Sequence, residues 1–226
     1  MSRSASDRAV KQSFIREPVN ALTHAFGALL GVAGLVLLIL KGYGNTVQII
    51  SFLVYGTGMI MLFTASALYH ASRGSEQTLR RLRKFDHVSI YVLIASTYTP
   101  VTLVSLQPQF PGWGWSLFGV VWGLALAGII IKLFWLNAPR WLTAGVYLVI
   151  GWLALIGIRP VVQSLSNTGV FWLLSGGVSY SVGAVIYAVK KPDPYPGVFG
   201  FHEIWHVFVL LGAASHFFMM YLDVAG

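Results

Sequence analysis

The sequence contains no cysteine, and only 7 of its 226 residues are acidic. The first absence removes a disulfide scaffold and any thiolate metal site. The second belongs to a wider scarcity. Charged residues make up 10% of the chain, whereas a water-soluble domain carries about a quarter. Disordered segments need low hydrophobicity and high net charge, yet 56% of the residues are hydrophobic and the mean hydropathy is +0.72. There is too little polar surface to coat a soluble sphere, so the composition indicates an integral membrane protein.

A helix crosses the hydrocarbon core with about 20 mostly apolar residues. Seven stretches qualify, over residues 20–40, 46–70, 87–105, 114–135, 141–158, 168–189 and 201–222. They are continuous and too long for barrel strands, which alternate over about 10 residues. Short breaks rich in Gly, Pro, Asn or charge separate them, and no repeat of fixed period appears. The expected fold is all-α: a seven-transmembrane-helix bundle over residues 20–226, preceded by a short basic tail over 1–19. The first apolar run exceeds the 7–15 residues usual for a signal-peptide core, so it reads as a retained helix.

Lys and Arg accumulate on the cytoplasmic side of membrane proteins. Thirteen of the fifteen fall on one side of this arrangement, in the tail, the loop with Arg80, Arg81, Arg83 and Lys84, and the later connections; only Lys41 and Arg159 fall on the other. The N-terminus is therefore expected in the cytoplasm and the C-terminus outside, in a cytoplasmic (inner) cell membrane. The net charge of +8 then reports topology and attraction to anionic lipid, and no nucleic-acid partner is expected. No protein partner can be inferred.

Ionisable side chains inside a membrane mark functional sites by default. In the expected topology His70 ends helix two, Asp86 and His87 begin helix three, and His202, Glu203 and His206 open helix seven. All of these lie at one cytoplasmic depth, which Glu17, Asn20, Thr23 and His24 share at the start of helix one. His202 and His206 are one turn apart on one helical face, a spacing that lets two imidazoles share a metal. Zinc takes imidazole nitrogen and has four ligands as a rule, so His70 could be a third, and Asp86 could complete the shell directly or by holding a water. The alternative for each histidine is an ordinary packing role. His202-Glu-Ile-Trp-His206 also fits H-E-x-x-H, in which the glutamate is a general base, although Glu203 could equally face the headgroups. His216 lies about 21 Å beyond His202 along the helix, too far to join this group.

Glu17-Pro-Val-Asn20 with Thr23-His24, Ser66-Ala-Leu-Tyr-His70, Asp86-His87 and His202-Glu-Ile-Trp-His206 resemble the hemolysin III family, the bacterial branch of the progestin and adipoQ receptor proteins. The resemblance covers essentially the whole chain. It implies that His70, His202 and His206 bind zinc, that Asp86 contacts a zinc-bound water, and that Ser66 is a polar neighbour of that water. Glu17, Asn20 and His24 match family positions without an evident chemistry. The receptor branch has a long N-terminal region and a C-terminal extension not seen here, so hormone binding and receptor signalling are not part of the expectation.

The expected function is a zinc-dependent hydrolase of a lipid amide or ester, ceramidase-like, with a zinc-bound water as nucleophile, Asp86 as base and a fatty-acyl or sphingolipid-like membrane lipid as substrate. Two readings compete with it. One is a non-enzymatic membrane sensor or regulator with structural zinc; the other is a pore-forming cytolysin, as the family name records. Retinal photochemistry is not expected, because the seventh helix has no mid-membrane lysine.

Overall fold

The computed structural model describes residues 14–226, and the first part of the basic tail, 1–13, lies outside them. Long apolar runs broken by Gly, Pro and capping residues give eight helices among the described residues: α1 Pro18–Lys41, α2 Thr46–Ala71, α3 Glu76–Pro100, α4 Pro111–Phe134, α5 Arg140–Gly151, α6 Ile158–Ser164, α7 Asn167–Val189 and α8 Phe201–Met219. Outside them the only bridge among the described residues is the isolated pair Tyr195–Phe199. Six helices are long and apolar enough to cross a membrane, or seven spans result if the bent pair α5–α6 counts as one. With its apolar helices and the relatives described below, the chain is a multi-pass membrane protein.

Each boundary has a local cause. Asn45 caps α2 by accepting from the Gln48 amide at 3.1 Å, and Ser166 caps α7 through Gly169 at 3.1 Å. Pro111 starts α4, where a missing N–H costs nothing. Ser75 caps α3 through Thr78 at 3.3 Å, so α3 begins eleven residues before the apolar run that announces it at residue 87. That extra stretch is charged and leans on the end of α4: Arg83 donates to Asn137 at 3.3 Å and Lys84 to the Leu133 carbonyl at 2.7 Å. At the other end of α3, Pro100 cannot donate to the helix ladder, and Val101–Leu106 continues as a π-helical turn.

The fifth apolar run is not one straight helix. α5 and α6 meet at 65°, across a 3-10 turn at Leu153–Leu155 flanked by Gly151 and Gly157. Freed backbone groups in a membrane must be paired within the protein. The Tyr98 hydroxyl from α3 does this, donating to the Gly151 carbonyl at 2.7 Å and accepting from the Ala154 amide at 2.9 Å.

Packing is close where glycines face neighbours. On α1 the buried face carries Gly27, Gly31 and Gly34, and a Cβ on Gly27 would sit 2.8 Å from Phe63 of α2 and 2.7 Å from Leu210 of α8. Small residues let helices approach in lipid, where no hydrophobic force drives them together. The outside is apolar, with Leu29, Val36, Ile131, Phe171 and Val185 all exposed. The starts of α1 and α8 and the end of α2 come together at one end of the bundle, and their polar side chains meet there.

Candidate metal centre

His70 ends α2 and is buried, as is Ser66 one turn before it. His202 and His206 lie in the first two turns of α8, presenting both rings to α2. The His70 and His202 Nε2 atoms are 3.4 Å apart, and one nitrogen from each of His70, His202 and His206 falls within 4.8 Å of the others. Two imidazole nitrogens on a tetrahedral ion with bonds of about 2.0–2.1 Å would stand about 3.3 Å apart, so the closest pair already has that spacing. His206 Nδ1 is buried without a hydrogen-bond partner among the described residues. The three histidines could hold a metal ion.

Glu17 gives the group an orientation. Its backbone amide donates to the His70 carbonyl at 3.0 Å, which seats the chain entering α1 on the end of α2. Its Oε2 lies 2.5 Å from His70 Nδ1. With the proton on Nδ1, His70 donates to the carboxylate and keeps the Nε2 lone pair towards His202. Carboxylates hold metal-binding imidazoles in this way, fixing tautomer and ring angle. Burial raises the Glu17 pKa, but the hydrogen bond and charge of His70 and the charge of Arg16 outweigh it and leave it at about 2.

Asn20, buried on α1, extends the chain of contacts. Its Nδ2 donates to Glu17 Oε2 at 3.3 Å and to Glu203 Oε1 at 2.7 Å. The other Glu203 oxygen accepts from the Gly200 amide at 2.8 Å. Both carboxylate oxygens of Glu203 are thus engaged in closing the start of α8 and tying it to α1.

His24 stacks on His206 with ring centroids 3.7 Å apart and planes 14° from parallel, while the Phe63 edge meets it from α2. Neither His24 nitrogen has a hydrogen-bond partner among the described residues. It lies outside the group of three.

A cavity of about 1130 Å3, mouth included, runs from the histidines into the bundle. Asp86, Ser66, His87 and His24 line its polar end with His202 and His206, and Leu62, Ile90, Ile94, Leu148 and Val209 are among its apolar walls. The Asp86 carboxyl and the Ser66 hydroxyl share this polar end of the cavity. His87 Nδ1 is buried and unpaired among the described residues, and the Tyr147 hydroxyl holds its carbonyl at 3.1 Å.

The structure therefore gathers His70, His202, His206, Asp86 and Ser66 about one end of a cavity, with Glu17 and Asn20 behind them. Sequence reasoning found no chemistry for Glu17 or His24. A signal for Glu17 existed: it is one of only 7 acidic residues, placed at the level of the histidines.

The family model described as Haemolysin-III related matches residues 12–217. A Bacillus subtilis protein named Hemolysin-3 homolog is 43% identical over 204 residues, covering 89% of this chain and 91% of its own length. Hemolysin-3 of Bacillus cereus is 37% identical over 210 residues, covering 91% and 90%. More distantly, the adiponectin receptor protein of Drosophila melanogaster is 27% identical over 240 residues, covering 94% of this chain and 52% of its own length. The chain is a member of the haemolysin-III related family, and through it of the wider progestin and adipoQ receptor group.

Proposed function

We propose that this protein is a zinc-dependent hydrolase of a membrane lipid amide or ester. One observation carries the reading: three imidazoles that could share a metal stand with a carboxyl and a hydroxyl at the polar end of a deep apolar cavity. His70, His202 and His206 would hold the ion, and their all-nitrogen set suits zinc. Bound there, zinc supplies a Lewis acid and lowers the pKa of nearby water.

The chain's own residues do the rest. Apolar walls from α2, α3, α5 and α8 exclude bulk water and take an acyl chain. Asp86 is placed to orient a water at the polar end, accept its proton as it attacks the carbonyl, and return that proton to the leaving amine or alcohol. Ser66 steadies Asp86. With its basic residues on the side that Lys and Arg favour, this end of the bundle would face the cytoplasm.

The test is lipid profiling of wild type against Asp86→Ala in the same bilayer, with metal content measured on both. Loss of a general base costs about 10²–10⁴-fold in rate, so free fatty acid should fall by that factor while bound zinc stays stoichiometric. Undiminished release would remove Asp86 from the chemistry. No lipid product from wild type, together with zinc loss that lowers thermal stability, would favour a structural metal in a sensor or regulator. The ties joining α1, α2 and α8 would suit that role.

A further inference from the structure

The cavity continues well past the histidine group. His216 lies ten residues after His206 on α8, about 15 Å farther along the axis, and lines the same cavity with Tyr180 of α7. A second pocket, about 560 Å3 with its mouth included, begins there and shares His216, Thr97 and Trp152 with the first.

His216 is 9% exposed, and its Nε2–H donates to the Leu173 carbonyl at 3.3 Å. With the proton on Nε2, Nδ1 is an acceptor, and it has no hydrogen-bond partner among the described residues. The Tyr180 hydroxyl is likewise buried and unpaired among them, on a ring centred 5.5 Å from the imidazole. Buried polar atoms are nearly always satisfied, so two unpaired together require an explanation. Neither ring has a free choice of position. A Cβ on Gly176 would overlap the His216 ring, and one on Gly212 would overlap the Tyr180 ring. Glycines on facing helices thus make room for both groups at the cavity wall.

We propose that His216 and Tyr180 form a polar subsite for a neutral hydroxyl carried on the acyl chain of a lipid whose reacting end lies at the histidine group. The proposal rests on the reading of the cavity as an acyl-chain site. A hydroxyl satisfies both partners, donating to Nδ1 and accepting from the tyrosine O–H. A carboxylate or phosphate has no proton to give Nδ1, and a plain methylene leaves both groups unpaired. The 15 Å separation corresponds to an extended chain of about twelve carbons, which selects a mid-chain hydroxyl.

The experiment places the full-length protein in phosphatidylcholine nanodiscs with stearic acid and 12-hydroxystearic acid in competition. Retained acids are measured by mass spectrometry against empty discs. Wild type should enrich the hydroxy acid about fivefold, the value of one net hydrogen bond. Tyr180→Phe, which keeps the ring, and His216→Leu should each lower the ratio by removing one of the two hydrogen bonds, and the double variant should bring it close to one. Equal retention of the two acids by wild type overturns the subsite and leaves the acyl-chain cavity standing. Retention of neither overturns both. An enrichment that persists undiminished in Tyr180→Phe and His216→Leu also overturns the assignment.

Discussion

The Glu17 side chain meets the histidine group at one atom, His70 Nδ1. Removing the charge while keeping the shape isolates that contact, so Glu17→Gln is the informative change. An amide can accept the same hydrogen bond but stabilises an imidazole bound to a cation less well. Loss of such a partner weakens metal binding by about 10–100-fold. Zinc titration against a chelator of known affinity should show that loss in Glu17→Gln, with stoichiometry and helix content unchanged. Wild-type affinity in the variant would mean that His70 is oriented by its packing alone. The contrast with His70 itself explains what the sequence could reveal of the site. His202 and His206 are legible from a four-residue spacing, and His70 and Asp86 from their depth on other helices. The Glu17–His70 and Asn20–Glu203 ties are not, because they join α1 to α2 across 53 residues of chain and α1 to α8 across 183, and helix periodicity carries no information about which neighbour a helix meets. The His24–His206 stack is hidden for the same reason.

At the scale of the helices, hydropathy located every apolar run, because length and composition alone satisfy the requirement for crossing lipid. It could not locate the start of α3, since a charged stretch capped by Ser75 is helical without being apolar. Nor could it see the bend between α5 and α6, which depends on Tyr98 reaching from α3 to the freed backbone. The contacts between helices are where glycine placement becomes testable. Gly128 of α4 is buried, and a Cβ there would intrude on the Tyr91 ring. That ring is itself held edge-on to Tyr147 with centroids 4.7 Å apart, so it has little room to yield. Gly123 on the same helix faces open space. Gly128→Ala should therefore destabilise by about 1–3 kcal/mol through overpacking, while Gly123→Ala should be neutral or gain up to about 1 kcal/mol of helix propensity. Thermal melting of both variants in the same detergent checks the contrast; equal effects would show that α3 and α4 separate at no cost.

For the whole molecule, the absence of cysteine returns as an experimental opportunity, because a single introduced thiol is the only one present. The bent pair decides the number of crossings, and contacts at its two ends bear on it. Near the start of α5, Thr143 accepts from Lys132 Nζ of α4 at 3.1 Å, and Thr143 lines the cavity that also holds Asp86. Just after α6, the Ser166 amide donates to the Asp223 carboxylate at 3.2 Å, near the end of the chain. The segment thus starts at the histidine end and finishes at the opposite one, as a seventh crossing would. Combined with the expected accumulation of Lys and Arg on the cytoplasmic side, this gives a definite labelling pattern. An impermeant maleimide applied to intact cells should modify Tyr43→Cys and Gln163→Cys, and should reach Arg81→Cys and Asn137→Cys only after permeabilisation. The reverse pattern would place the histidine group at the outer face and move the source of any lipid substrate to the other leaflet. Labelling of Asn137→Cys and Gln163→Cys from the same side would instead make α5–α6 a re-entrant loop. The subsequent helices would then be inverted, and α8 could not bring His202 and His206 to the depth of His70. Stoichiometric metal binding by the three histidines and a same-side result are therefore mutually exclusive, which ties the topology of the chain to the chemistry of its centre.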